Sequence, residues 1–227
     1  MSQKLRVTVW GENVHERENP LVAKIYPDGM HNTISDGIRE GGEFDVRAVT
    51  LHDPEHGLTT GILENSDVLV WWSKPFMRLM GTSCSVIWRE AGEKERLWVC
   101  NPAHPIARGI DRYFEIENVE MYGEPFAVPT PDEIVFISWF EGGEVFRSGC
   151  TWKRGNGKIF YFRPGHEAYP IYYNKNVRLV LRNAVRWAAG DGVKWIDSCP
   201  QISAKDAPEL LEIKGPKIHK EGEAGFR

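Results

Sequence analysis

Short apolar runs separated by polar, glycine-marked loops fill the first third of the chain. Their spacing predicts strands alternating with helices. Leu5 to Trp10 reads as a strand, ended by the polar loop Gly11-Glu12-Asn13-Val14-His15-Glu16. After Pro27, Met30, Ile34 and Ile38 recur at helical spacing until Gly41-Gly42 stops the helix. Phe44 to Leu51 is a second strand and Thr59 to Glu64 a short helix. Asp67 to Trp72 is a third strand, with the unbroken apolar run of a parallel-sheet centre. Strand, helix, strand, helix, strand is the signature of a right-handed, doubly wound sheet.

The pattern then breaks. Ser73-Lys74-Pro75-Phe76 follows Trp72 at once. A parallel sheet needs a crossover helix and a fourth strand here, roughly 30 residues by the size of a βαβ unit. Either that unit has been lost, or the protein holds residues absent from this sequence. From Thr82 to Trp152 the character changes to hairpins and aromatic strands. Ser85 to Trp88, Glu95 to Cys100, Glu133 to Phe140 and Glu144 to Trp152 are the strand candidates. Glu141-Gly142-Gly143 and Gly155-Asn156-Gly157 supply tight turns. Ile159 to Phe162 has the composition of a buried strand, stopped by Pro164 and Gly165. Asn176 to Ala189 is a final helix, with Val177, Val180, Leu181, Ala184, Val185 and Ala188 on one face. Beyond Gly190 the chain turns polar and proline-interrupted. The expected organisation is one α/β domain over residues 1–190 and a C-terminal extension over 191–227. The domain would hold a mostly parallel sheet with helices on both faces and an added antiparallel region.

Composition narrows the function classes. Apolar residues at 41% and charged residues at 26% are ordinary globular values. Nine Trp, ten Phe and seven Tyr are not, and such rings must line a core, a pocket or an interface. That surplus predicts a homo-oligomer, since large aromatic surfaces seldom stay exposed on monomers. A net charge of −4 argues against nucleic acid as the main partner. No apolar run reaches the roughly 20 residues that span a bilayer, so no membrane partner is expected. Cys84, Cys100, Cys150 and Cys199 form no C-x-x-C pair, which disfavours a zinc knuckle or a thioredoxin-type site. With no signal-peptide core at the start, the expected location is the cytoplasm, with reduced thiols.

Candidate chemistry gathers where strands end. His166 and Glu167 follow the Ile159–Phe162 run, and the carboxyl ends of strands in open α/β sheets are where ligands bind. An imidazole beside a carboxylate moves protons near neutral pH or holds a metal. The plain alternative is a helix-capping His and a solvated Glu. Glu12 and His15 follow the first strand and should project at the same sheet edge, unless their loop is simply solvated. His31 opens the first long helix, where a neutral imidazole polarises a substrate oxygen or merely caps the helix. Arg163 offers a planar fork to a carboxylate or to sugar hydroxyls, or a salt bridge across the strand end. Tyr169 and Trp10 suit a sugar's apolar face, or pack helix and sheet. His104 lies in the rigid turn Pro102-Ala103-His104-Pro105-Ile106, while His52 and His56 read as surface. His15 and His104, with His31, His166 and Glu12 or Glu167, are the donors that zinc would take, assembled from distant loops.

Several segments together resemble the trehalose-utilisation ThuA family. They are Val7-Thr8-Val9-Trp10-Gly11-Glu12-Asn13, Tyr26-Pro27-Asp28-Gly29-Met30-His31, Leu79-Met80-Gly81-Thr82-Ser83 and Trp88-Arg89-Glu90-Ala91-Gly92-Glu93. Asn101-Pro102-Ala103-His104-Pro105-Ile106, Arg163-Pro164-Gly165-His166-Glu167 and Asn183-Ala184-Val185-Arg186-Trp187-Ala188-Ala189 complete the set. The resemblance implies a flavodoxin-like α/β domain of the class I glutamine amidotransferase superfamily. It also implies a bacterial role in the uptake or breakdown of disaccharides such as trehalose. Gly165-His166-Glu167 is similar to the half of the amidotransferase machinery that activates a nucleophilic Cys. The half carrying the nucleophile would lie in the segment missing after Trp72, so glutamine hydrolysis is disfavoured. The expected substrate is a disaccharide or its keto derivative, with His166 as acid/base, Glu167 orienting it, and His15 and His31 at the opposite lip. The paired carboxylates of ordinary glycosidases are not visible in the sequence. The rival reading is a sugar-binding or assembly protein that has lost the nucleophile.

Overall fold

The computed structural model describes residues 4–72, 82 and 84–190. The expected extension, with Cys199 and His219, lies outside them. Three parallel strands form the first sheet, β1 (Leu5–Gly11), β2 (Phe44–Thr50) and β3 (Val68–Trp72), in the order β2-β1-β3. β1 pairs with both neighbours and is buried on both faces, Val7 and Val9 at 1% and 0% exposure on one and Thr8 and Trp10 at 2% and 4% on the other. Between β1 and β2 lie α1 (His15–Glu18), α2 (Pro20–Ile25) and α3 (Met30–Arg39), and α4 (Thr60–Glu64) precedes β3. Only α3 and α4 were legible in the sequence. α1 is a single turn on the segment read as a polar loop. α2 starts at Pro20, behind an Asn19 side chain that accepts from Leu21 N–H.

The second sheet is the larger. It joins β4 (Ile87–Val99), β5 (Tyr113–Gly123), β6 (Glu133–Phe140), β7 (Val145–Arg154) and β8 (Gly157–Phe162) in the order β5-β4-β6-β7-β8, all antiparallel. The expectation of a mostly parallel sheet is therefore corrected. Among the described residues three strands pair parallel and five antiparallel. β8 in particular, read as a strand of the open α/β sheet, is an edge strand paired with β7. An apolar run such as Ile159–Phe162 fits a buried strand of either sense, so the pairing direction was never encoded in it. The crossover expected after Trp72 falls on residues 73–81 and 83, which lie outside the described residues.

Two further strand readings change. Ser85–Trp88 and Glu95–Cys100 are parts of one strand, β4, whose register against β5 slips between Arg89 and Glu93 and again between Glu93 and Glu95. Gly92, at φ +68°, carries that bulge. The same slips break the alternation of β5, which the sequence pattern missed altogether. The Gly155-Asn156 turn between β7 and β8 stands as expected.

α5 (Lys175–Ala189) packs against α3 and lies along both β3 and β8. Asn174 caps its first turn by accepting from the N–H groups of Asn176 and Val177, and Gly190 ends it at φ +64°. Met30, Ile34 and Ile38 of α3, Val177 and Val180 of α5, and Leu97, Phe136, Phe140 and Phe146 of the antiparallel sheet share one buried cluster. The two sheets thus share a core, and the end of β8 comes to rest beside the loop that follows β1.

Candidate acid–base site

β8 ends in Arg163-Pro164-Gly165-His166-Glu167, and three devices fix this turn. Arg163 is 4% exposed and pairs with Glu95 of β4, Nη1 to Oε2 at 2.6 Å. Glu95 is wholly buried, and its Oε1 accepts from the Ser138 hydroxyl. Burial pushes the Glu95 carboxyl up, while Arg163 and Ser138 pull it back. Gly165 lies against Tyr172, where a side chain would not fit. The Tyr169 carbonyl accepts from the Tyr26 hydroxyl at 2.5 Å.

His166 is held in one tautomer. Its Nδ1 accepts from the Ala168 N–H at 3.2 Å, so a neutral ring carries its proton on Nε2. That Nε2 stands 3.5 Å from Glu120 Oε2 and 3.7 Å from Glu167 Oε2. The other oxygen of Glu167 meets Nδ1 of His15 at 2.5 Å. One carboxylate therefore bridges two imidazoles, one from the start of α1 and one from the turn after β8. Glu120, from β5, is 6% exposed, and burial raises its carboxyl while the facing His166 opposes the rise. Tyr122 donates to Glu120, and its phenol is pushed up to about 12, chiefly by burial. The Arg163 guanidinium lies 4.7 Å from the Tyr122 ring centre and 5.1 Å from that of Phe140. Tyr169 completes the wall, its ring centre 5.8 Å from that of His166 and its hydroxyl bonded to the Gly92 backbone in the β4 bulge.

The structure brings together His166, Glu167, His15 and Tyr169. It gives the other expected residues different surroundings. Trp10 is 4% exposed, stacked on Trp71 at 3.9 Å, and donates its indole N–H to the His56 carbonyl at 2.7 Å. His31 is buried under Gly11 and Gly29, and loss of solvent lowers its pKa although Glu16 pulls the other way. His104 packs on Trp187 and accepts from the Ile106 N–H through Nδ1, capping the Pro105–Ala107 turn. Burial lowers its pKa as well. Glu12 is half-buried just beyond β1. The expected zinc donors are thus divided between His15 with His166 and the separate surroundings of His104. Among the described residues no three His, Cys, Asp or Glu side chains are grouped so as to hold a metal.

Sequence reasoning missed Glu120, Tyr122 and Glu95. The signal was slight: Glu120 sits between Val119 and Met121, but Glu115, Glu117 and Asn118 just before it give the segment a polar look. It went unread because the bulged pairing of β5 hid the strand. The fold also supplies what the sequence did not display, two carboxylates converging on one imidazole.

These features define a mixed α/β protein with a partly exposed histidine–carboxylate cluster where two sheets meet. The family profile of ThuA, described as trehalose utilisation, matches residues 73–188, half of the chain. The chain belongs to the ThuA family, as the sequence resemblance implied. The matched span holds Glu95, Glu120, Arg163, His166 and Glu167, and it leaves out His15 and His31. Among solved structures, a ThuA-like protein from Parabacteroides merdae is 14% identical with a TM-score of 0.61, covering 88% of this chain and 94% of that one. A ThuA-like protein from Bacteroides uniformis is 13% identical with a TM-score of 0.53, covering 83% and 93%. At such identities they speak for the fold. No curated protein matches the chain.

Proposed function

We propose that this is a protein of trehalose or related disaccharide utilisation, which transfers protons on a sugar or keto-sugar through His166. The observation that carries the reading is the defined tautomer of His166, with Nε2–H directed toward Glu120 and Glu167. Glu120, its pKa raised by burial, is suited to hold a proton that a carboxylate in water would release. Protonation at Nδ1, which releases the Ala168 N–H, makes His166 an imidazolium whose Nε2 proton can pass to a departing sugar oxygen, and Glu120 in its ionised form is the base that takes a proton next to a carbonyl. Glu167 orients the imidazole and ties it to His15. In this reading the three parallel strands are the flavodoxin-like half of the fold, and Cys84, Cys100 and Cys150, all free thiols, suit a reducing cytoplasm.

Glutamine hydrolysis remains disfavoured. Cys84 has a left-handed backbone, φ +52°, like a displayed nucleophile, yet burial raises its thiol away from the thiolate. Cys150 is pushed up to about 12. The raised thiols also favour the second reading, a sugar-binding protein without the amidotransferase nucleophile. Incubation of the purified protein with trehalose and its keto derivative, followed by NMR, separates the two. Turnover should fall by about 10²–10⁴-fold in His166→Ala, the span of general acid–base contributions. No turnover by the wild type, with sugar binding intact in His166→Ala, would establish the binding reading instead.

A further inference from the structure

Trp10, the aromatic face expected for a sugar, is buried against Trp71, and a different tryptophan stands at the acid–base site. Trp88 is 62% exposed, against 38% for Trp139 and 4% for Trp10. A single exposed ring needs no explanation by itself. The neighbours of this one give it a role. Trp88 lies directly opposite Tyr122 in the β4–β5 pairing, and Glu120 is two residues from Tyr122 on the same face of β5. Diagonal cross-strand neighbours are about 7–8 Å apart, within reach of an aromatic side chain. Trp88 therefore stands beside Glu120, which faces His166. Glu90 is exposed and near enough to Glu120 and Tyr169 for its charge to act on both. Tyr169 rests against Gly92 of the same bulge and turns its ring toward His166. Ile87, also exposed, points to the other face of β4, so it and Trp88 do not combine into one apolar patch.

We propose that Trp88 is the platform on which a pyranose ring of the substrate rests, with Glu90 accepting hydrogen bonds from its hydroxyls. The inference rests on the sugar reading above and names the residues that bind the sugar beside His166. A pyranose has an apolar C–H face and a rim of hydroxyl donors. An indole with a carboxylate at its edge complements both. The register slip that follows Arg89 re-aims Glu90, as bulges beside ligand sites do. The ring so held lies over Glu120, within the span of the acid–base pair.

The test is titration of the wild-type protein with trehalose, followed by calorimetry and by proton–nitrogen NMR of the indole N–H signals. The signal missing in Trp88→Ala assigns Trp88, and urea melts confirm that the variant folds. Trehalose should shift that signal. The Kd should rise at least about tenfold in Trp88→Ala and stay within about threefold of wild type in Trp88→Phe, which keeps an aromatic face. Glu90→Gln should weaken binding by about threefold to tenfold. Sorbitol, which offers hydroxyls without a ring face, should not displace trehalose at equal concentration. If Trp88→Ala does not fold, Trp88→Phe assigns the signal and its shift with trehalose decides the matter. Trehalose binding that leaves the Trp88 signal unmoved and Trp88→Ala as tight as wild type overturns the platform and leaves the sugar reading standing. A wild type that binds neither trehalose nor its keto derivative overturns both.

Discussion

Gly165→Ala is the substitution whose cost the structure defines most directly. Gly165 sits at φ +158°, and a Cβ built there lies 2.0 Å from the hydroxyl oxygen of Tyr172 and 2.9 Å from its ζ carbon. Real Cβ contacts essentially never fall below 3.0 Å, so something must shift. The Tyr172 ring has little freedom to do so. It is 5% exposed, in the Ile171–Tyr173 turn, and its carbonyl accepts from Arg178 Nε at 2.7 Å. Overpacking of this kind costs about 1–3 kcal/mol. Forcing a side chain into backbone space reserved for glycine adds about 1–3 kcal/mol. A loss of at least about 2 kcal/mol follows, with Tm falling by about 2–4 °C per kcal/mol for a chain of this size. Urea unfolding followed by tryptophan fluorescence measures it, with the m value unchanged. Tyr172→Phe removes the closer atom, so the double variant should recover at least about 1 kcal/mol as coupling energy. A Gly165→Ala protein within about 0.5 kcal/mol of wild type, or one without coupling to Tyr172→Phe, refutes the reasoning.

Asn174→Ala removes the side-chain acceptor for the N–H groups of Asn176 and Val177 and should cost about 1 kcal/mol in the same urea assay. The pH dependence of stability follows from His31 and His104, both lowered from 6.5 by burial. The unfolded chain then binds more protons than the native one below about 6.5, so stability should decline as pH falls from 7.5 to 5.5. His31→Asn with His104→Asn should flatten that slope in paired urea melts, and an unaltered slope would assign it to other groups. Cys150, buried with its thiol pushed up to about 12, should resist iodoacetamide at pH 8 in the native protein and react after unfolding, as read by peptide mass spectrometry.

The elements legible in the sequence were those with an uninterrupted period. β1 and α3, with its Met30, Ile34 and Ile38 stripe, stand within a residue or so of the reading. β2, β6, β7 and α5 follow it almost as closely. β5 was missed and β4 divided because the register slips around Glu93 insert residues that no fixed period accommodates. His166, Glu167 and His15 were legible as candidates because strand ends and glycine or proline stops mark them. Glu120 and Glu95 were not, since an acid in a strand looks solvated until its partners are known.

The order of strands and helices, the histidines at loop positions and the family resemblance are properties of the sequence itself, because spacing and turn chemistry act over a few residues. Tertiary structure alone decided that β8 pairs antiparallel, that Glu120 meets His166 from 46 residues away, and that Glu95 matches Arg163 across 68. Those contacts join residues distant in the chain, and their energies depend on burial, which no local pattern of amino acids records.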